Sequence, residues 1–254
     1  MRLNVISDVH ARIDALAEAG KNADALICLG DLLLYTDYED PGNGIMGSLF
    51  GAELNTEFIR LRTANRFDEA RAVAMKKWDE LGNREELING EVQKQYEQIF
   101  SAMPTPTYIT YGNVDRPEFW PNFKKEGMTV LDGQVVEIGG LKFGFVGGGL
   151  KTPYRTPYEI TDEEFQKNVD ALGPVDVLCS HIPPAIADIT FDVVARRFER
   201  GSIALLEYIK KYQPKYSLFG HVHQPLASRT RVGKTECINV GHFRATKRPF
   251  VLDL

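Results

Sequence analysis

Leu26-Ile27-Cys28-Leu29-Gly30-Asp31 reads as a buried strand that runs out onto a carboxylate. Four apolar residues without interruption suit a strand covered on both faces, as in a parallel sheet. Gly30 breaks the run, and Asp31 follows at once. An earlier strand, Leu3 to Ile6, turns out through Ser7-Asp8-Val9-His10. Between the two, Ile13, Leu16 and Ala17 keep helical spacing, and Gly20 ends that helix. This β-loop-α-β opening predicts parallel strands with a helical crossover, hence an α/β protein.

The same pattern recurs downstream. Thr107 to Tyr111 is a strand that exits into Gly112-Asn113-Val114-Asp115. Val175 to Cys179 exits into Ser180-His181-Ile182-Pro183-Pro184, and Tyr216 to Phe219 into Gly220-His221-Val222-His223. Val130 to Ile138 and Leu141 to Val146 read as a hairpin joined at Gly139-Gly140. The second arm runs into Gly147-Gly148-Gly149, which suits either backbone contact with an anion or a tight crossing of chains. Thr161 with Glu164 forms a capping box ahead of a helix through Phe165, Val169 and Leu172, and Ile203, Leu206 and Ile209 mark another. Cys237 to Val240 and Phe250 to Leu252 supply the last strands.

Between Asp31 and Thr107 the character changes. Tyr35 to Gly51 is rich in Gly, Asp and Pro and reads as loop. From about Thr56 to Phe100 apolar residues fall in helical stripes, one through Phe67, Ala70, Ala74, Trp78 and Leu81 and one through Leu87, Ile88, Val92, Ile99 and Phe100. We expect a single domain over 1–254 carrying a helical insertion at about 51–103, either a cap over the site or a layer flanking the sheet. Arg60, Arg62 and Arg66 on that insertion are candidates to face a substrate, with solvated helix charges the commoner case.

Composition narrows the function classes. A net charge of -5 without a Lys/Arg run argues against a nucleic-acid polymer as partner, since such binding relies on phosphate neutralisation. Three widely spaced cysteines in apolar runs, Cys28, Cys179 and Cys237, argue against a disulfide framework and against a thiolate zinc site. The first apolar stretch is broken by Asp8, and no later stretch approaches spanning length, so neither a signal peptide nor a membrane partner is expected, and the expected location is cytoplasmic.

Four of the five histidines, His10, His181, His221 and His223, come directly after strand-like runs, as do Asp8, Asp31 and Asn113. Side chains just beyond strand ends gather along one edge of an open α/β sheet, where ligand sites form. Imidazole nitrogen with carboxylate oxygen and no thiolate suits Mn, Fe, Zn, Ni or Co better than Mg or Ca. These seven residues are too many for one ion and fit two if one carboxylate bridges. Each motif alone is weak, because a Gly-Asp after a strand is usually a turn and a lone His before Ile-Pro-Pro is usually a packed ring. Together, in this order, they are specific.

Asp8-Val9-His10, Gly30-Asp31, Gly112-Asn113-Val114-Asp115, Ser180-His181 and Gly220-His221-Val222-His223 resemble the five motif blocks of the calcineurin-like metallophosphoesterases. The resemblance implies a four-layer sandwich, two mixed β-sheets packed together with helices outside. It implies that Asp8, His10 and His223 hold one metal, that Asn113, His181 and His221 hold a second, and that Asp31 bridges them. It also implies a metal-bridging hydroxide as nucleophile, with Asn113, Asp31 and His181 at the reaction centre.

One position departs from the family. Many members carry a histidine after the Gly-Asn, where this chain has Val114, which can neither contact phosphate as an imidazole does nor protonate a leaving oxygen. Asp115 matches the family's acidic residue without its usual partner, and orienting the Asn113 loop is the role left to it. His242, in Asn239-Val240-Gly241-His242, is the spare histidine, a candidate acid or else a surface or supporting residue. Without a built-in acid, good leaving groups are favoured, and a phosphodiester carries less charge than a monoester dianion. The expectation is a phosphodiesterase acting on a small soluble phosphoester. The alternatives are a phosphomonoesterase, on a nucleotide or phosphoprotein, and a non-catalytic interaction scaffold on the same fold.

Overall fold

A computed structural model describes residues 1–254. The chain forms two compact units, one made of Met1–Leu32 and Ile99–Leu254, the other of Leu33–Gln98.

The first unit holds two large sheets. In one, Arg2–Ile6, Ala25–Cys28, Thr107–Ile109 and Met128–Val130 lie side by side and parallel, and Phe250–Asp253 pairs antiparallel to Arg2–Ile6 at the edge. In the other, Thr235–Asn239, Tyr216–Phe219, Val177–Ser180 and Leu141–Val146 are parallel neighbours, closed on either side by antiparallel Arg229–Val232 and Gln134–Ile138. The expected two mixed sheets with helices are present. Their facing sides share one core. Leu3, Val5, Ala25, Ile27 and Leu252 of the first sheet pack with Phe143, Phe145, Val177, Cys179, Leu218 and Ile238 of the second. Burying each such side chain stabilises the fold by about 1.5–3 kcal/mol. The outer face of the second sheet is covered by helices Asp162–Asp170 and Ile203–Tyr212, through Phe165, Val169, Leu205 and Ile209 against Val146, Leu178 and Phe219. The Thr161–Glu164 capping box is present with both reciprocal bonds.

Two details differ from the sequence reading. The run from Val130 is not one strand. Met128–Val130 ends in the first sheet and Gln134–Ile138 starts in the second, so Leu131 to Gly133 crosses between them. Arg229–Val232 is an extra edge strand; it alternates exposed and half-buried residues and so has no apolar run to announce it.

In the second unit, helices Gly44–Phe50, Ala52–Thr63, Phe67–Leu81 and most of Arg84–Ala102 enclose Met46, Phe50, Ala74 and Trp78, with Phe50 edge-on to Trp78 at 4.7 Å. Gly44–Phe50 falls inside the stretch read as loop. Ile45, Met46 and Phe50 keep helical spacing there, and their burial outweighs the turn chemistry of the flanking glycines. Arg60 pairs with Glu57 and Arg66 with Glu69, one turn along their helices, and Arg62 lies over the Phe58 ring, so these arginines are engaged in local surface contacts. No helix of the chain is long and apolar enough to cross a membrane.

Candidate metal centre

Six strand exits converge in the first unit, three from each sheet. Asp8 and His10 follow Arg2–Ile6, Asp31 follows Ala25–Cys28, and Asn113 and Asp115 follow Thr107–Ile109. From the other sheet, His181 follows Val177–Ser180, His221 and His223 follow Tyr216–Phe219, and His242 follows Thr235–Asn239. The cluster therefore lies where the carboxyl ends of two sheets meet, not along the edge of one. Ser7 and His242 form a parallel bridge between the sheets at this end, and the Phe243 and Arg244 N–H groups donate to the Ser7 and Asp8 carbonyls.

The exits turn sharply. Asp8, His10, Asp31 and His221 all have positive φ, at 58°, 40°, 55° and 68°. L-residues rarely adopt this region, and runs of it collect at functional sites. The glycines of the motifs let the loops touch. A Cβ on Gly112 would lie 2.0 Å from Asp31 Oδ1, and one on Gly220 would lie 2.0 Å from Ser7 Oγ and 2.4 Å from Asp8 Oδ2. Gly147-Gly148-Gly149 is the tight crossing. Its N–H groups donate to Asp132, Tyr111 and Tyr158, and Cβ atoms at Gly147 and Gly149 would strike Thr110 and Asn113. Those N–H groups are taken, so the anion-contact alternative fails.

The donor atoms fall into two groups around one carboxylate. Asn113 Oδ1 is 2.9 Å from His181 Nε2 and 2.9 Å from His221 Nδ1. His223 Nε2 is 3.4 Å from His10 Nε2 and 3.4 Å from Asp8 Oδ1. Asp31 reaches both groups: Oδ1 is 3.4 Å from His181 Nε2, and Oδ2 is 3.9 Å from His10 Nε2. Nitrogen and oxygen ligands bound about 2.0–2.2 Å from one cation at right angles sit about 3 Å apart. The ligand atoms of Asp31, His181 and His221, and those of Asp8, His10 and Asp31, each lie within 4.8 Å of one another.

These residues fit metal ions for a further reason. Asp8, Asp31 and Asp115 are all buried, and Asp8 Oδ1 has no hydrogen-bond partner. A buried carboxylate oxygen without a partner is costly unless a cation meets it. The His181 ring is preset for ligation, because Nδ1–H donates to the Leu29 carbonyl at 3.0 Å and Nε2 is turned to the cluster. His223 is the exposed member, so the centre opens to solvent on the His10–His223 side.

The remaining candidates resolve into distinct positions. Asp115 is buried and accepts N–H bonds from Asp31, Leu32 and Gly112 at 2.9, 2.9 and 2.8 Å, which ties the Asp31 and Asn113 loops together. Burial and the Asp31 charge push its pKa up to about 7, against the pull of those N–H groups. Val114 contributes its N–H to Asp31 Oδ1 at 2.9 Å. His242 stacks on His223 with ring centroids 3.8 Å apart, and its buried Nε2 has no hydrogen-bond partner. Sequence reading passed over Asn239, whose Nδ2 donates to the Gly220 and Val222 carbonyls and shapes the loop that carries His221 and His223. It also passed over Asp192, which accepts the Gln224 N–H just beyond His223. Neither residue carries a spacing signal, since each acts through backbone contacts.

Without ions the charges lean on one another. Burial disfavours the Asp8 carboxylate, but the His223 imidazole 3.4 Å from Oδ1 holds it well below the usual range. Burial also disfavours the His181 imidazolium, but Asp31 and then Asp8 outweigh it and push the pKa up to about 9. Against about 6.5 in the unfolded chain, this raised value adds stability that is complete below about pH 6.5 and is lost as pH rises through about 9. Metal-free protein in chelator is expected to melt at a lower temperature at about pH 9.5 than at about pH 7, and divalent ions should flatten that trend, because a ligating imidazole is unprotonated. A melting temperature indifferent to pH in chelator would contradict the coupling.

A family model described as calcineurin-like phosphoesterase matches residues 1–225. The chain belongs to that family. The chain is 27% identical over 135 residues to an uncharacterised protein of Methanocaldococcus jannaschii, a match spanning 50% of this chain and 60% of that relative. Among solved structures it resembles a candidate 5′-nucleotidase from Staphylococcus aureus, at 14% identity and a TM-score of 0.51, over 99% of this chain and 50% of that one. That likeness is one of fold. An archaeal phosphodiesterase matches at 15% identity and a TM-score of 0.40, over 100% of this chain and 93% of that one. The family is metal-dependent, and the Asp and His groups of this chain could hold an ion.

Proposed function

We propose that this phosphoesterase is a dinuclear, metal-dependent phosphodiester hydrolase of one domain with a helical insertion. The observation that carries the reading is the pair of Asp31 oxygens, one turned to His181 and the other to His10. Asp8, His10 and His223 would hold one ion, Asn113, His181 and His221 the other, with Asp31 shared between them. Mn, Fe, Zn, Ni and Co suit this donor set. When bound, the two ions acidify water to give a nucleophile near neutral pH and draw charge from the phosphoryl oxygens.

The chain's own residues do the rest. Asp31 and Asn113 fix the spacing of the two ligand groups, and His181 is held in one tautomer by Leu29. The Val114 side chain offers no proton to the departing oxygen. Burial, reinforced by His223 and His10, pushes the His242 pKa down to about 3, so at neutral pH this ring is no cationic acid. We assign it to supporting the His223 ring. The leaving group therefore departs without a proton from an imidazole, which favours acidic alcohols and diesters. The free, buried thiols of Cys28, Cys179 and Cys237 support a reducing, cytoplasmic setting.

The test compares an aryl phosphodiester with the matching monoester in Mn. We expect kcat/KM at least about tenfold higher for the diester, and rates across a diester series that fall steeply as the leaving group becomes more basic. A monoester preference would make the protein a phosphomonoesterase. Ion binding without turnover of any phosphoester in a broad panel would make it a scaffold.

A further inference from the structure

We infer that Thr156 and Glu159 are positioning residues that set the polarity of the Asn113 amide, so that its oxygen and not its nitrogen faces His181 and His221. This rests on the reading of Asn113, His181 and His221 as ligands of one ion.

The argument is one of donors and acceptors. Asparagine oxygen and nitrogen are nearly identical in shape, so packing alone does not choose between the two orientations of the amide. Thr156 sits in the loop between strands Gly149–Leu150 and Glu159–Ile160. Its Oγ1 lies 2.8 Å from Glu159 Oε1 and 3.0 Å from Asn113 Nδ2. A carboxylate can only accept, so the single hydroxyl hydrogen goes to Glu159. What Thr156 then presents to Asn113 is a lone pair, which takes an N–H and repels a carbonyl oxygen. Asn113 therefore gives Nδ2 to Thr156 and keeps Oδ1 for His181 and His221, each at 2.9 Å.

Glu159 is itself fixed. It accepts from Thr152 N and Oγ1 at 2.8 and 2.6 Å and from the Thr156 N–H at 3.1 Å, besides the Thr156 hydroxyl. The Tyr158 N–H donates to the Asn113 carbonyl at 2.9 Å, which holds the loop against the Asn113 turn. The relay thus runs Glu159, Thr156, Asn113, with every hydrogen pointing away from the ion. An inverted amide would aim an NH2 group at a cation.

The experiment titrates Mn into the metal-stripped full chain against a competing chelator, for wild type, Thr156→Val, Thr156→Ser and Glu159→Gln. Thr156→Val keeps the shape and removes the hydroxyl. We expect one of two binding steps to weaken by about 10–100-fold and the other to hold. Thr156→Ser should restore both, and Glu159→Gln, whose amide can turn the hydroxyl round, should weaken the same step. The melting temperature in chelator checks the fold, and if Thr156→Val unfolds, Thr156→Ser against Glu159→Gln makes the same comparison. Two wild-type steps left unchanged in Thr156→Val and Glu159→Gln would overturn the relay alone. Equal weakening of both steps would overturn it too, as a structural role would produce that. A wild type that binds no Mn would overturn the metal-centre reading and the relay with it.

Discussion

Asp31→Asn is expected to cut phosphodiester hydrolysis by about a thousandfold and to drop bound metal from about two ions per chain to below one. The substitution keeps the shape of the side chain and can keep the acceptor for the Val114 N–H. It removes the charge and turns one oxygen into a donor. At most positions that would be mild. Here both oxygens are committed, Oδ1 within 3.4 Å of His181 Nε2 and Oδ2 within 3.9 Å of His10 Nε2, so either orientation of the amide aims a nitrogen at one ligand group. Elemental analysis and a diester assay on the same preparation read both effects. A variant that keeps two ions and stays within about tenfold of wild-type activity would remove Asp31 from the bridging role.

Asp115→Ala should have the largest effect on stability, about 3–5 kcal/mol. Three buried N–H groups, from Asp31, Leu32 and Gly112, lose their acceptor together, and each orphaned group costs about 1–3 kcal/mol. Part of this is offset, because burial and Asp31 already make the Asp115 charge unfavourable. For a chain of this size the loss corresponds to a fall of roughly 10 °C in melting temperature. Asp115→Asn, which retains one acceptor oxygen, should fall between wild type and Asp115→Ala. A change under about 1 kcal/mol in Asp115→Ala would mean that water replaces the carboxylate and that the loop tie is unimportant. Activity should fall as well, since the tie joins the loop of Asp31 to that of Asn113.

The convergence of the candidate ligands was legible because strand exits are local signals. A run such as Leu26 to Leu29 marks its own end, and a carboxylate directly after it needs no distant partner to be noticed. The pairing of the two sheets was not legible in this way. Leu131 to Gly133 is a three-residue crossing from one sheet to the other inside what reads as a single apolar arm, and only tertiary packing distinguishes the two. The helix Gly44–Phe50 was hidden by its neighbours, because Pro41, Gly42 and Gly51 speak for turns while burial of Ile45, Met46 and Phe50 decides otherwise. Asp115 reads as orienting its own Asn113 loop, but two of its three N–H partners lie more than 80 positions away, which no spacing encodes. Thr156, in a polar loop, and Glu159, at the start of the short strand after it, carry no motif, and their bearing on Asn113 appears only once the hydroxyl hydrogen is assigned.

The left-handed backbone at Asp8, His10, Asp31 and His221 has a consequence for anyone who engineers this protein. An L side chain in that conformation costs about 1–2 kcal/mol relative to glycine. A laboratory selection on heat resistance alone, run on libraries in chelating buffer, would be free to relieve this strain at His10 and His221 with glycine or asparagine, whereas Asp8 and Asp31 are also held by the His221 and Val114 N–H groups they accept. Each winner would be a sturdier protein with an emptier centre. The turns that make the chain harder to hold together are the ones that aim its proposed ligands, so thermostabilisation campaigns should hold these positions constant and screen with divalent ions present.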